Sequence, residues 1–346
     1  MAEVDKSAST RHFLKPFQCF LTDPSITEIA VNRPEEVWVE RRGFWEKVHD
    51  PLVTFDHMLH LGTAVAAFAG DNLTFDQTRP ILSAVLPDGE RSQFVMPTAC
   101  EERTISMTIR KPSFQVRTID DYIESSFFDR IRPANQLSDA DAELMDLFKR
   151  MNDSPNASRL RAEFLLRAVE LGKNIVIAGA TGSGKTTFMK ALMQAIPTEQ
   201  RIITIEDVPE LVYGLPKHEN KVHLFYPSEG KSDATVTAAS LLRSCLRMKP
   251  DRILLAELRG GETFDFLNVC MSGHGGSITS CHAGSCSAAF EYLALKVLQS
   301  ETGSHLPHNV IDRLLRLVID IVVHVHNDPR EGRFITEIYF APAEKC

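Results

Sequence analysis

Eight consecutive residues, Gly179-Ala180-Thr181-Gly182-Ser183-Gly184-Lys185-Thr186, fit the pattern G-x-x-x-x-G-K-[ST]. They follow the apolar run NIVIAG and open the helical run TTFMKALMQAI, the strand-turn-helix setting in which such a loop grips phosphate. The glycines let the backbone curl so that several N–H groups point inward at phosphate oxygens, and the helix N-terminus adds the positive end of its dipole. In that arrangement Lys185 bridges the β- and γ-phosphates and the Thr186 hydroxyl is a ligand of Mg²⁺, with Thr187 next along the cradle. The chemistry implied is binding and hydrolysis of ATP with Mg²⁺.

Hydrolysis also needs carboxylates for the metal or the attacking water, and two strand-like runs deliver them. RIITIED ends in Glu206 and Asp207, and RILLAEL ends its apolar run at Glu257. A carboxylate at such a strand end can hold a Mg²⁺-bound water or orient the nucleophile. The expectation is Glu257 near the Mg²⁺, directly or through water, and Glu206 on the attacking water. His282 follows the strand SITSC, where an imidazole could donate to a γ-phosphate. Arg243 and Arg247 lie four apart on one helical face, and Arg259 sits just beyond Glu257. Arg247 and Arg259 are candidates for neutralising charge on the transferred phosphoryl group. Zinc is not expected from His274, His282, Cys281 and Cys286: Cys281 and His282 are adjacent on a strand and point to opposite faces, and no C-x-x-C or H-x₃-H pair supports a closed site.

Strict β/α alternation surrounds these motifs from about residue 157 onward, which implies a mostly parallel sheet wrapped by helices, with ligands at the carboxyl ends of the strands. Before it lies an α+β region. ITEIAVN and EVWVE read as strands, FWEKV closes a hairpin, residues 57–69 read as a helix, and PILSAVLP, RSQFVMP and TISMTIRKP as further strands. Phe13, Leu14, Phe17, Phe20 and Leu21 recur at helical spacing; a core-facing helix and a membrane-surface helix both present that pattern. Residues 131–156 are polar and rich in Pro, Asn, Ser and Asp, and read as a linker with a short helix around LMDLF. The division expected is therefore an α+β domain at 1–130, a linker at 131–156 and an α/β nucleotide-binding domain at 157–346.

The 346 residues are comfortable for two cores, and 43% hydrophobic with 24% charged residues is an ordinary globular composition. A formal charge of −8 gives no global attraction to nucleic acid or to an anionic bilayer. Direct sequence-specific nucleic-acid binding is not expected, while peripheral membrane contact through a local patch is compatible with the sequence. Seven cysteines form an odd set that suits reduced thiols in the cytosol. No apolar leader and no run of about 18 to 20 apolar residues is present.

Taken together, GATGSGKTT, TIEDVPEL, LLRSCLRMKPDRILLAELRG and SGHGGSITSCHAGS, in that order, resemble the secretion ATPase superfamily, and most closely its type IV secretion branch. The likeness spans nearly the whole chain. It implies that these segments are the Walker A loop, the Asp box, the Walker B segment and the His box on a RecA-like C-terminal domain, preceded by a smaller α+β domain. It also implies that arginines of the N-terminal domain reach the nucleotide phosphates; DGER and SMTIRKP are the matching segments, which points to Arg91 and Arg110. Ala256-Glu257 and Arg259-Gly260 stand where the type II and pilus branches usually have Gly-Glu and Arg-Asp, and their four-cysteine zinc module is absent. The resemblance further implies a homohexamer on the cytoplasmic face of a bacterial inner membrane, among the other components of a type IV apparatus whose cargo, effector protein or conjugative DNA, is chosen elsewhere. Two rivals are a RecA-like DNA translocase, which single-stranded DNA would stimulate, and a nucleotide-gated scaffold, which would need only the phosphate cradle.

Overall fold

The computed structural model describes residues 5–70, 72–113, 116–133, 136–153, 157–228 and 235–345. Its N-terminal part begins with two short helices, α1 (Ala8–Phe13) and α2 (Gln18–Thr22), then β1 (Ile26–Arg33), β2 (Glu36–Arg41), β3 (Phe44–His49), α3 (Phe55–Ala69), β4 (Ile81–Val85), β5 (Arg91–Val95) and β6 (Ser106–Arg110). The strands form one antiparallel sheet in the order β3-β2-β1-β6-β5-β4. Thr54 caps α3 by accepting from the His57 amide, and the helix buries Met58, Leu61 and Val65 against the sheet. Leu14 and Phe17 join the same core, so the apolar spacing at the N-terminus is a core-facing one, with the turn around Pro16 splitting the expected helix.

A connection carrying α4 (Ile119–Glu124) leads to α5 (Asp139–Asp153) and α6 (Ala157–Glu170). The short helix expected inside a linker is thus 15 residues long, and its Leu144, Met145, Leu147 and Met151 are buried with Phe164 of α6 in the second domain's core. Asp and Asn at both ends gave the segment its linker-like polarity, while one apolar stripe does the packing. Residues 134–135 and 154–156 of that expected linker lie outside the described residues.

There follow β7 (Ile175–Ala178), α7 (Lys185–Met193), β8 (Ile202–Glu206), β9 (Lys221–Phe225), α8 (Ala238–Cys245), β10 (Arg252–Leu255), α9 (Glu262–Met271), β11 (Ile278–Cys281), α10 (Cys286–Val297), α11 (His308–Val318), β12 (Ile321–Asp328) and β13 (Gly332–Phe340). Strands β10-β8-β9 pair in parallel, as do β11-β7-β12, with β13 antiparallel at the edge. The Leu258 amide donates to Ser280 O (2.8 Å) and the Ser280 hydroxyl to Ala256 O (2.8 Å), which ties β10 to β11. The layer therefore runs β9-β8-β10-β11-β7-β12-β13, a RecA-like order. Strands β7, β8, β10 and β11 are buried at every position, as strands of a parallel layer covered on both faces are. Helices α8 to α11 cover one face through Leu241, Phe266, Phe290 and Leu315, and α5 to α7 the other through Leu144, Phe164 and Met189.

The N-terminal sheet meets the C-terminal layer at β9 and at Arg201. The Phe225 amide donates to Ala99 O, so the N-terminal part continues the edge of the C-terminal layer. Arg201 is 0% exposed. Its Nη1 donates to Asn32 Oδ1 (2.7 Å) and Asn220 Oδ1 (2.6 Å), its Nε to Met248 O (3.0 Å), and its guanidinium lies 5.4 Å from the centre of the Trp45 ring. A cation taken out of water persists only if its donors are filled. Burial lowers the Arg201 pKa to about 10, still charged at neutral pH. Arg201→Ala strands the buried Asn32 Oδ1, leaves Asn220 Oδ1 and Met248 O with one donor each from Asn32 and Thr108, and empties a fully buried site, and the expected loss is about 3 kcal/mol. Urea unfolding reads it; a midpoint equal to that of the wild type would show that the two domains do not depend on this cation.

Candidate active site

Strand order decides which side chains can meet. Parallel strands β10, β11, β7 and β12 end at the same edge of the sheet, and β11 lies between the strand that feeds the phosphate loop and the strand that delivers Glu257. The residue that leaves β11, His282, must then stand between Lys185 and Glu257. His282 Nδ1 lies 3.4 Å from Lys185 Nζ, and His282 Nε2 2.6 Å from Glu257 Oε1. Its neighbour Cys281 points the other way into the core, as adjacent strand positions do.

Residues 179–184 curl between β7 and α7. Gly184 has φ +96°, a left-handed conformation costly for any side chain, and the Arg333 stem lies so close that a Cβ there would stand 3.1 Å from it. At Gly179 a Cβ would fall 2.4 Å from Val325 O, so no side chain fits between β7 and β12. Lys185 Nζ donates to the carbonyls of Gly179 (2.9 Å) and Ala180 (3.1 Å), which folds the loop around its own cation. Burial lowers the Lys185 pKa, while the Glu257 carboxylate acts in the opposite direction. Ser183 is buried, and its hydroxyl has no partner among the described residues. The first amides of α7 have no acceptor within the helix.

Beside the loop opens a cavity of about 400 Å³, lined by Thr181, Gly182, Gly184, Lys185, Thr186 and Thr187 on one side and by Asp207, Glu257, Arg259, His282 and Arg333 on the other. Arg259 clamps two acids: its Nε lies 2.8 Å from Glu257 Oε2 and its Nη1 2.6 Å from Asp207 Oδ2. Partial burial works to lower the Arg259 pKa, and the bonds and charges of Glu257 and Asp207 outweigh it and raise it. A run of paired polar and charged groups thus crosses the cavity: Lys185, His282, Glu257, Arg259 and Asp207. The unpaired serine, the free helix amides and the cations suit a polyphosphate, and the hydroxyl of Thr186 with the carboxylate of Glu257 supplies the hard oxygen donors that Mg²⁺ takes.

Four expected site residues lie elsewhere. Glu206 is 0% exposed, and its Oε2 accepts from the amides of Glu210 (2.8 Å) and Leu211 (2.7 Å). Burial raises its pKa. It is the last residue of β8 and points into the turn that follows, whereas Asp207, one step on, faces the cavity. Arg247 donates to Ser83 Oγ (3.2 Å), and together with Arg91 it lines a separate cavity of about 620 Å³ against the N-terminal domain. Arg110 lies 3.4 Å from the buried Glu28. Arg243 pairs with Asp265 at 2.8 Å as a surface ion pair. Arg333 was not anticipated. Its signal was the Asp-Pro-Arg-Glu-Gly turn at 328–332, which closes a hairpin after the strand IVVHVHN and brings β13 back past the loop.

The family described as "Type II/IV secretion system protein" matches residues 142–328. The type IV secretion system protein VirB11 of Brucella abortus is 56% identical, covering 99% of this chain and 93% of its own length. The type IV secretion system protein PtlH of Bordetella pertussis is 42% identical over 98% of this chain and 97% of its own. Among solved structures, that of the VirB11 ATPase from the Brucella suis type IV secretion system in complex with sulphate superposes with a TM-score of 0.90 at 54% identity, covering 99% of this chain and 97% of that one.

The two glutamates should separate cleanly on substitution. Glu206→Ala leaves the buried Leu211 amide unpaired, while the Glu210 amide keeps Val208 O, and is expected to lower unfolding free energy by about 2 kcal/mol. Glu257→Gln should leave stability within about 1 kcal/mol and cut turnover by about 100-fold or more. Thermal melts alongside steady-state kinetics distinguish them; a Glu257→Gln enzyme with full turnover would remove that residue from the chemistry.

Proposed function

The chain belongs to the type II/IV secretion system protein family and is one of its type IV secretion ATPases, and on that premise we propose that it works as a homohexameric ring on the cytoplasmic face of the bacterial inner membrane. The observation that carries the reading is the single cavity in which Lys185, His282, Glu257 and Arg259 converge on the phosphate loop.

On ATP entry, Lys185 exchanges the Gly179 and Ala180 carbonyls for the β- and γ-phosphate oxygens. His282 then turns from Lys185 and Glu257 to donate to the γ-phosphate, and Arg259 meets the charge that develops on the phosphoryl group. Glu257, released from both partners, orients the attacking water, the role that the buried Glu206 is not placed to fill. Thr186 and Glu257 would hold Mg²⁺, directly or through water, and the ion when bound would neutralise phosphate charge. Once the γ-phosphate leaves, Arg259 falls back between Glu257 and Asp207 and the site regains its internal pairing. Chemistry is thereby coupled to a change of side-chain partners, the kind of local event that drives rigid-body motion.

Arg91 and Arg110 do not line the phosphate cavity of their own chain. In a ring we assign them to the phosphates of a neighbouring copy. No helix among the described residues is long and apolar enough to cross a membrane, so membrane contact would be peripheral and made through other components of the apparatus.

The test is ATP turnover together with solution mass, with and without Mg-ATP. Wild type is expected to hydrolyse ATP as a hexamer, to stop on addition of EDTA, and to lose about 100-fold or more in Lys185→Ala. A chain that stays monomeric in Mg-ATP would contradict the ring, and undiminished turnover in Lys185→Ala would contradict the site.

A further inference from the structure

Two arginines stand directly opposite each other in the N-terminal sheet. Arg91 pairs with Arg110 across β5 and β6, Arg110 with Glu28 across β6 and β1, and Glu28 with Glu40 across β1 and β2. The register therefore lays Arg91, Arg110, Glu28 and Glu40 in one row across four strands. Directly opposite residues of antiparallel strands share a face, about 5 Å apart at Cβ, and like charges so placed repel. The row is two repulsive pairs joined by one attractive contact, Glu28 with Arg110.

The two acids of the row are provided for unequally. Glu40 lies 3.1 Å from the Nζ of Lys249, which comes from the turn between α8 and β10, and it accepts from the Thr27 hydroxyl at 2.8 Å. Glu28 has less. Its side chain is 4% exposed, its Oε1 lies 3.4 Å from Arg110 Nε, and its Oε2 has no hydrogen-bond partner among the described residues. Arg110 itself is 67% exposed, with Arg91 exposed beside it. Burial raises the Glu28 pKa to about 7 against the lowering effect of Arg110; of the other charges that face it, Glu40 raises it, and Lys249 and the buried Arg201 lower it. The carboxyl thus changes charge near neutrality, and its charged form is the one that attracts Arg110.

We propose that Glu28 is a positioning residue for Arg110: as a carboxylate it holds the guanidinium on the sheet, and when Arg110 passes to the phosphates of a neighbouring copy Glu28 takes up a proton from solvent. The inference rests on the assignment of Arg110 to those phosphates and adds to it the group that Arg110 must leave. Once Arg110 has gone, the acid is buried opposite Glu40 without its nearest cation, and the neutral form is favoured. ATP binding in the ring is then linked to pH, tighter where Glu28 is protonated and weaker where it is charged.

A non-hydrolysable Mg-ATP analogue, titrated calorimetrically into the full chain as wild type, Glu28→Gln and Arg110→Ala, tests this. Affinity is read at about pH 6 and pH 8, and the protons bound are counted near pH 7.5 from two buffers of different ionisation enthalpy. For a carboxyl that holds its proton about tenfold more tightly once Arg110 has gone, the fall in affinity from pH 6 to pH 8 is expected to be about fivefold steeper in wild type than in Glu28→Gln, with uptake of about half a proton more. The comparison subtracts the titrations of His282 and of the nucleotide, which both chains share. Equal pH dependence and equal proton counts in the two would overturn the proposal. So would a wild type that takes up no proton on binding, a result that needs no variant to fold. Undiminished affinity in Arg110→Ala would instead bring down the assignment of Arg110 to the phosphates.

Discussion

Everything chemical in this chain depends on four parallel strands ending at one edge in the order β10-β11-β7-β12. Main-chain pairing sets that order, and the buried apolar faces above and below hold it. Once it is set, the phosphate loop, the imidazole and the carboxylate arrive side by side without any of them needing a long or flexible loop. Insertion of β11 between the loop strand and the Glu257 strand makes His282 a neighbour of both Lys185 and Glu257.

A site built from so many charges has to manage them before substrate arrives. Lysine, histidine, arginine and two acids in a partly buried cavity would repel or be stripped of water if left apart. Here they satisfy one another, with Arg259 between Asp207 and Glu257 and Lys185 on its own loop carbonyls. That arrangement satisfies the cavity's charges within the fold, and in the proposed mechanism the phosphates of ATP compete for the same cations. Arg201 is the complementary device at the other end of β8: a cation with fixed neutral partners that anchors the N-terminal sheet while the site is free to rearrange.

Much of this was legible in the sequence. The phosphate loop, the fully buried strands and the position of Glu257 and His282 at strand ends follow from apolar runs terminated by single polar residues. What escaped depended on direction or on distance in the chain. Glu206 and Asp207 are adjacent acids after the same strand, and only the turn that binds the Glu206 carboxylate reveals which one faces the cavity. The polar ends of α5 read as linker because its apolar stripe is narrow and finds its partner in α6. Arg333 lies 148 positions beyond Lys185 in the chain and carries no motif, so its place beside Gly184 could only come from the hairpin geometry. Arg91 and Arg247 line a cavity of their own instead of the phosphate loop because the N-terminal sheet packs on the β9 edge, a docking that no local pattern encodes.

The exchange of internal charge pairs for phosphate is the core of this account, and a crystal structure with Mg²⁺ and a non-hydrolysable ATP analogue tests it directly. The account predicts Lys185 Nζ on the β- and γ-phosphate oxygens, with its contacts to Gly179 and Ala180 broken and Glu257 parted from Arg259. A bound analogue that leaves Lys185 on the loop carbonyls and Arg259 still clamped between Asp207 and Glu257 would contradict it.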